Sequence, residues 1–230
     1  MDGIGAEFIG NLLIYLVVLL LAISAHEAAH AWMSLKFGDD TAFQLGRVTL
    51  NPVAHTDPIG TLLLPILGFI LSYTGGGIAL IGWGKPTPVN PRKWTNYKRA
   101  NVMVSIAGIL ANLLLAVIGF VIAKILIESG VANRETISAG IGVPISIFLQ
   151  YLIFMNVSLA IFNLMPFPPL DGSKVLSTFL PASFQPTLDL LEQYGFIILL
   201  VLINLGVFRL IISPVFAFVS YLLFEVRLFS

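Results

Sequence analysis

A histidine pair with the spacing of a metal site lies near the N-terminus, in the sequence His26-Glu27-Ala28-Ala29-His30. Residues four apart on a helix lie on one face, about one turn from each other, so both imidazole rings can reach a single ion. Zinc binds imidazole nitrogen and prefers four ligands, one of which is water in a catalytic site. Glu27 lies beside that face and can accept a proton from the water. The motif therefore predicts zinc-dependent hydrolysis with Glu27 as the general base.

Two simpler explanations compete with a metal site. The first is chance, but this motif is expected in a chain of this length with a probability of only about one in a hundred or less. The second is a structural polar cluster between helices. The motif lies in an apolar stretch that runs from Phe8 to Leu35, and ionisable groups inside a membrane cost about 2.5–3.5 kcal/mol or more and are usually functional. Motif and membrane context together favour the metal site.

Two histidines leave zinc short of ligands, and two residues could supply the third. His55 lies in a turn-rich loop, where most histidines are simply solvated. Asp171 follows a long uncharged stretch and the segment 166–169, whose three prolines end a helix and force extended backbone. Asp171 is equally suited to cap a helix over 173–180, since Asp is common at helix N-termini. Spacing alone does not separate the ligand from the cap.

The composition indicates a membrane environment for these residues. The chain has 230 residues, of which 57% are apolar and 10% charged, and its twelve basic residues balance its twelve acidic ones. A soluble domain has about 25% charged residues, and a nucleic-acid-binding protein needs a basic excess. Because cysteine is absent, disulfides and thiolate chemistry are excluded. We therefore expect an all-α integral membrane protein that binds no nucleic acid and forms a single domain over 1–230.

Long uncharged stretches predict a bundle of about four to six transmembrane helices, since a span needs about 20 mainly apolar residues. The C-terminal stretches are short and fit either two tight spans or one kinked helix pair. The N-terminus carries acidic residues in place of basic ones, so no cleaved signal peptide is expected. The catalytic core is expected over about 8–36, 100–127 and 145–175, and the C-terminal membrane helices over about 190–225.

The stretch 58–84 has a different character, because Pro65 and the triple glycine 75–77 interrupt it. Both residue types break helices, so we expect a re-entrant hairpin in place of a single crossing. Seven of the twelve basic residues lie between Lys36 and Arg99, which places that region in the cytoplasm by the positive-inside rule. A hairpin also keeps the two ends of the candidate metal site on one side of the membrane.

Two further features have alternative interpretations. Asn112, within the stretch 100–123, is expected to hydrogen-bond another helix, with an active-site contact as the less common use. Residues 85–91 alternate proline with other residue types and predict a short extended, membrane-associated loop. That loop could pair with an unwound substrate by strand addition, or it could lie at the membrane interface, anchored by Trp83 and Trp94.

The sequences HEAAH and NLMPFPPLDG together resemble the site-2 protease family of intramembrane zinc metalloproteases. That family combines H-E-x-x-H on one transmembrane helix with N-x-x-P-x-x-x-x-D-G on a later one, and Asn163, Pro166 and Asp171 occupy the second pattern here. The segment 82–91 also resembles the membrane-associated loop of bacterial members. The resemblance covers about 20–175 and fits the compact subgroup that lacks PDZ and CBS domains.

The resemblance implies a role for each matching residue. The expected zinc ligands are His26, His30 and Asp171, with one zinc ion per chain. The expected general base is Glu27. Asn163 is expected to position the substrate near the metal.

The resulting hypothesis is an intramembrane zinc metalloprotease of a prokaryotic cell membrane, with its active site open towards the cytoplasm. The family implies membrane-spanning proteins or remnant signal peptides as substrates. A divalent-cation transporter is the alternative, since it would also place His and Asp in membrane helices. Glu27 separates the two, because a transporter could tolerate its loss whereas a hydrolase could not. A catalytically dead relative that retains membrane clients is disfavoured by the intact HEAAH.

Overall fold

The fold is a bundle of helices, seen in a computed structural model that describes residues 2–75, 80, 82–132 and 140–224. No strand occurs within these ranges. The α-helices are α1 (Asp2–Lys36), α2 (Thr41–Gln44), α3 (Leu64–Tyr73), α4 (Tyr97–Glu128), α5 (Gly142–Leu164), α6 (Asp171–Ser177), α7 (Gln185–Asn204) and α8 (Val207–Phe224).

Five helices in the described part of the chain are long and apolar enough to cross a membrane, namely α1, α4, α5, α7 and α8. Helices are expected here because lipid offers no hydrogen bonds, so each backbone group must find a partner within its own segment. The predicted all-α bundle of four to six spans is confirmed. At the C-terminus the structure shows two separate helices, and Gly206 makes the turn between them with a φ of 80°, a left-handed conformation that favours glycine.

The centre of the bundle is formed by α1, α4 and α5, which pack against one another pairwise. Small residues line the contact: on α1 Ala22 and Ala31 are fully buried, and on α4 Gly108 and Ala116 are buried. Small side chains let helix backbones approach closely, which is how membrane helices gain packing energy where lipid removes the hydrophobic driving force. The close approach places the inward-facing polar side chains of α1 and α4 within hydrogen-bonding distance.

A re-entrant hairpin follows the first span. A π-helical turn, Pro58–Leu63, begins at Asp57, whose carboxylate accepts from two backbone amides, and it continues directly into α3. The chain after the hairpin returns to the residues at which the hairpin began. The Trp83 amide donates a hydrogen bond to the Gly60 carbonyl at 3.1 Å. The Thr61 hydroxyl also donates to the Trp83 carbonyl at 2.8 Å. The two ends of the hairpin therefore meet, as predicted; Gly76 and Gly77 of the triple glycine lie outside the described residues.

An irregular segment, residues 82–90, leads from the hairpin to α4 and forms neither helix nor strand. Its far end is fixed by Asp39, which is fully buried and accepts from the Asn90 amide at 2.7 Å. Burial disfavours the charged carboxylate of Asp39, but hydrogen bonds from Thr41, Asn90 and Ser34 outweigh this effect and lower its pKa below the ordinary value. We call residues 82–90 the proline loop, after Pro86 and Pro88.

The meeting of the hairpin ends predicts that the residues before and after it share one side of the membrane. Val53→Cys, at a position that is 80% exposed, and Thr95→Cys, also exposed, should react alike with a membrane-impermeant thiol reagent in sealed cells. Because the native chain has no cysteine, the unsubstituted protein is the background control. Labelling at only one of the two positions would contradict the hairpin.

Candidate metal centre

Three side chains converge between α1 and the start of α6. His26 and His30, four residues apart on α1, place their Nε2 atoms 2.9 Å from each other. The Oδ2 atom of Asp171 lies 3.1 Å from the His26 Nε2 and 3.0 Å from the His30 Nε2. His30 and Asp171 are buried, and the His26 side chain is only 12% exposed. The structure therefore brings together the three residues that the sequence motifs singled out as ligands.

The position of Asp171 depends on the proline-rich segment before it. The segment 165–170 ends α5 and turns the chain, so that Asp171 is the first residue of α6 and Leu170 occupies the N-cap position without a side-chain cap. Gly172 allows the turn to close tightly, since a Cβ there would lie 2.3 Å from the Leu164 carbonyl oxygen. The carboxylate of Asp171 is thus directed to the histidines and does not cap the helix.

The outer nitrogens of both imidazole rings are bonded to acceptors of α4. The His30 Nδ1 lies 2.7 Å from the Val104 carbonyl oxygen, which can only accept, so Nδ1 carries the proton. Gly108, one turn after Val104, leaves room for both rings because it has no side chain. The His26 Nδ1 lies 2.7 Å from the Asn112 Oδ1. Bonds of this kind fix the ring tautomer and leave Nε2 as a lone-pair ligand, which is the usual arrangement of metal-binding histidines.

The orientation of the Asn112 amide is set by two acceptors on other helices. Its Nδ2 donates to the Ala22 carbonyl at 3.1 Å and to the Asn156 Oδ1 at 2.9 Å, which leaves Oδ1 to face His26. Asn156 is held in turn by donating to the Leu152 carbonyl at 2.8 Å. Asn112 and Asn156 are fully buried. Asn112 therefore joins three helices and contacts the candidate site as well.

The donor set fits a metal cation. Two Nε2 lone pairs and a carboxylate oxygen are all acceptors, and they face one another at about 3 Å in a largely water-free setting. Such atoms repel unless a positive charge lies between them. A tetrahedral zinc ion with bonds of about 2.0–2.1 Å separates its ligand atoms by about 3.3 Å, so a small outward movement accommodates it. Two histidines and one carboxylate match the protein ligand set of catalytic zinc sites.

Lys174 binds the other oxygen of the Asp171 carboxylate. Its Nζ lies 3.0 Å from the Asp171 Oδ1, three residues further along α6. This ion pair engages Oδ1 and leaves Oδ2 for the histidines, so Asp171 offers a single oxygen to a metal. The Lys174 side chain is 56% exposed, so its contribution is mainly to orientation, since exposed ion pairs are weak.

Glu27 lies beside the three ligands without joining them. Its Oε2 accepts a hydrogen bond from the backbone amide of Thr87, in the proline loop, at 2.8 Å. The Thr87 hydroxyl donates to the Glu27 carbonyl oxygen at 2.9 Å. The cluster of His26, His30 and Asp171 found among the described residues does not include Glu27, which is the arrangement expected of a general base.

Two other sequence candidates lie apart from the three ligands. His55 is fully buried, and its Nε2 donates to the Thr49 carbonyl at 2.9 Å, so it stabilises the loop before the hairpin. The Asn163 amide donates to the Leu159 carbonyl on its own helix at 3.0 Å, and its role with substrate stays a prediction. Sequence reasoning missed Asn156, Lys174 and Thr87. Asn156 could have been found, because an asparagine in an uncharged membrane stretch carries the same signal as Asn112.

A helical membrane protein with a His–His–carboxylate centre and an adjacent free glutamate has the features of a membrane metallopeptidase. The sequence profile described as Peptidase family M50 matches residues 14–203. The chain belongs to this family, the site-2 proteases, and it is a multi-pass membrane protein. The predicted family resemblance is confirmed.

Curated relatives agree with this assignment. The chain is 40% identical over 193 residues to a protein of Bacillus subtilis (strain 168) named "Putative zinc metalloprotease YwhC", covering 84% of this chain and 81% of that one. It is 30% identical over 197 residues to "Putative zinc metalloprotease Rip2" of Mycolicibacterium smegmatis, covering 86% of this chain and 69% of that one. A protein of Mycobacterium tuberculosis (strain H37Rv) with the same name is 30% identical over 183 residues, covering 80% of this chain and 63% of that one. No solved structure matches the chain.

The packing of Gly108 generates the first prediction about the metal centre. A Cβ at this position would lie 2.5 Å from the His30 Nε2 and 2.7 Å from the His26 Nε2, so Gly108→Ala should reduce bound zinc to a small fraction of the wild-type amount. Zinc per purified chain, measured by elemental analysis, checks this. Gly10→Ala is the matched control, since no atom lies within 4 Å of its added Cβ. Alanine favours a helix over glycine by about 0.5–1 kcal/mol, so zinc loss at position 108 cannot come from weaker helix propensity. Equal zinc in both variants would contradict the proposed position of the metal.

The third ligand can be assigned by comparing two buried residues. Asp171→Ala should lower zinc affinity by at least about tenfold, because it removes one of three ligand side chains and loss of even an indirect partner costs 10–100-fold. His55→Ala should leave zinc bound, because its imidazole contacts Thr49 and not the ligand group. Competition with a zinc chelator on purified protein measures both affinities. Zinc retained by Asp171→Ala and lost from His55→Ala would overturn the assignment.

Proposed function

We propose that this protein is a zinc-dependent endopeptidase that cleaves membrane-spanning segments of other proteins. The observation that supports it best is that Asp171 meets His26 and His30 beside Glu27, and these last three residues lie on a membrane-spanning helix. Membership of a peptidase family supports proteolysis, and the names of the relatives support zinc. The chemistry of the donor set agrees with one zinc ion per chain.

The residues around the three ligands have separate tasks in peptide hydrolysis. Bound zinc would polarise the scissile carbonyl and make its water a stronger acid. Glu27 accepts the proton of the attacking water, and it then delivers that proton to the leaving amine. The Thr87 amide binds Oε2 of Glu27, which leaves Oε1 for the proton. Asn112 and the Val104 carbonyl keep the imidazole rings oriented throughout.

The depth of the site supports cleavage within the membrane. Glu27 lies nine residues before Lys36, the end of α1, which corresponds to about 14 Å of helix. The hydrocarbon core of a bilayer is about 30 Å thick, so with Lys36 at the membrane surface the site would lie inside the core and towards one face. Because the loops on that side carry most of the basic residues, we assign this face to the cytoplasm. In sealed cells both cysteines of the topology experiment should then remain unlabelled.

Helical substrates must unwind before their carbonyls become accessible, and the proline loop is positioned to receive the unwound strand. It passes directly over Glu27 and contains no regular hydrogen-bonded structure of its own. Extended backbone next to a catalytic base can pair with an extended substrate by strand addition. Pro86 and Pro88 have no amide hydrogen, so at these positions the loop can only accept hydrogen bonds. Membrane-spanning proteins and remnant signal peptides are the proposed substrates, and the bilayer is their common environment.

Replacing the general base tests this proposal against a divalent-cation transporter. Glu27→Gln should retain bound zinc, because Glu27 is not a ligand, and should lose proteolysis by at least about 100-fold, the usual contribution of a general base. Zinc analysis and cleavage of a synthetic transmembrane peptide that the wild type hydrolyses give the two values. Transport would need the ligands but not this carboxylate.

Glu7→Gln is the control for the loss of a carboxylate from the same helix. Glu7 is exposed on α1, twenty positions before the candidate base, and its replacement should change neither zinc content nor cleavage. Near-normal hydrolysis by Glu27→Gln would show that the proposed mechanism is wrong.

A further inference from the structure

Thr87 is the residue of the proline loop that contacts the candidate base, and it does so twice. Its backbone amide donates to the Glu27 Oε2 at 2.8 Å, and its hydroxyl donates to the Glu27 carbonyl oxygen at 2.9 Å. The first bond holds the carboxylate, and the second holds the loop against the backbone of α1 at the same residue. Among the described residues, no other hydrogen bond to the Glu27 carboxylate occurs.

The local sequence prepares Thr87 for this contact. Pro86 and Pro88 flank it, and proline fixes its own φ and restricts the preceding residue to extended conformations. The tripeptide 86–88 is therefore stiff before any tertiary contact forms. Because neither proline has an amide hydrogen, Thr87 carries the only backbone donor of the tripeptide, and that donor is bonded to the base.

Contacts on both sides of Thr87 fix the distance between the proline loop and α1. The Lys85 amide donates to the His55 carbonyl at 2.8 Å, and the Asn90 amide donates to Asp39 at 2.7 Å. Gly84 lies so close to α1 that a Cβ there would be 2.7 Å from the Ile23 Cγ2 and 3.8 Å from the Glu27 Cγ. The loop is thus held at contact distance one helical turn before the base and again at the base itself.

We propose that Thr87 is a positioning residue for the general base, acting through its amide on the Glu27 carboxylate and through its hydroxyl on the register of the loop. This inference rests on the proposed peptidase function and adds a residue that the sequence motifs do not contain. A glutamate side chain has several freely rotating bonds, and a base must lie within about 2.6–3.2 Å of the proton that it takes. Fixing one oxygen confines the other to a small volume beside the ligands.

The test compares one substitution that removes the hydroxyl donor with one that removes both donors. Thr87→Val has nearly the same shape but no hydroxyl, and Thr87→Pro removes the amide hydrogen together with the hydroxyl. For a positioning residue we expect kcat to fall by about tenfold for Thr87→Val and about 100-fold for Thr87→Pro, since small misplacements of catalytic groups cost up to about 100-fold. Zinc per chain should stay near the wild-type value. The probe is the synthetic transmembrane peptide that the wild type cleaves.

Thr87→Ser and Thr56→Val are the matched controls. Serine keeps the hydroxyl donor, so it should recover most of the kcat that valine loses. The Thr56 hydroxyl also donates to a backbone carbonyl, that of Pro52 at 2.7 Å, but it lies before the hairpin, and its loss should not change kcat.

Three outcomes would overturn the inference. The first is a kcat within twofold of wild type for Thr87→Val. The second is zinc loss in proportion to activity, and the third is a serine variant as impaired as valine; both of these would indicate a merely structural role. Thr87→Val retains the backbone amide and loses only the hydroxyl. It therefore tests the positioning role even if Thr87→Pro does not fold. Glu27→Gln, measured in the same assay, separates the two proposals: if it is inactive while the Thr87 variants are unaffected, only the positioning role fails.

Discussion

Mutual repulsion among three acceptor atoms is the constraint on which the rest of the structure depends. Two imidazole nitrogens and a carboxylate oxygen face one another at about 3 Å inside an apolar bundle, an arrangement that a cation between them makes favourable. The surrounding structure must be rigid, because a flexible one would let the three atoms move apart. That support comes from small residues that bring α1 and α4 together, from Gly172 at the turn into α6, and from the acceptors behind each ring.

The acceptors behind the imidazole rings are polar groups that a membrane interior would otherwise penalise. Buried amides and carbonyls must be paired in lipid, and here each pairing also serves the candidate site. The Val104 carbonyl fixes the ring of His30, and Asn112 fixes the ring of His26 while satisfying Asn156 and Ala22. Stability and site geometry therefore depend on the same bonds. A substitution at Asn112 would change both at once, and zinc affinity would report the change more directly than activity.

Much of this could be predicted from the sequence, because membrane chemistry makes polar residues conspicuous. The spans followed from uncharged stretches, the hairpin from Pro65 and the basic flanks, and the histidine pair from its spacing. Asp171 could be separated from a helix cap only through the family resemblance, since its position depends on how the prolines before it turn the chain. The prolines marked the loop around Thr87 as extended, but its contact with Glu27 could not be predicted, because that contact uses a backbone amide that every residue except proline possesses. Among the described residues the Asn163 amide donates within its own helix, to Leu159, so its role with substrate stays a prediction.

The two prolines beside Thr87 have a consequence for the survival of the enzyme itself. An endopeptidase that keeps a stretch of its own extended backbone against its base exposes that stretch to self-cleavage, since extended backbone is the form in which peptide bonds are attacked. The Lys85–Pro86 and Thr87–Pro88 bonds are tertiary amides, and the proline ring carbons crowd the neighbouring backbone. Thr87, the residue between the two prolines, is hydrogen-bonded to the carbonyl and the carboxylate of Glu27. The prolines that stiffen the loop therefore also protect the Lys85–Pro86 and Thr87–Pro88 bonds, the two X–Pro bonds that lie beside Glu27.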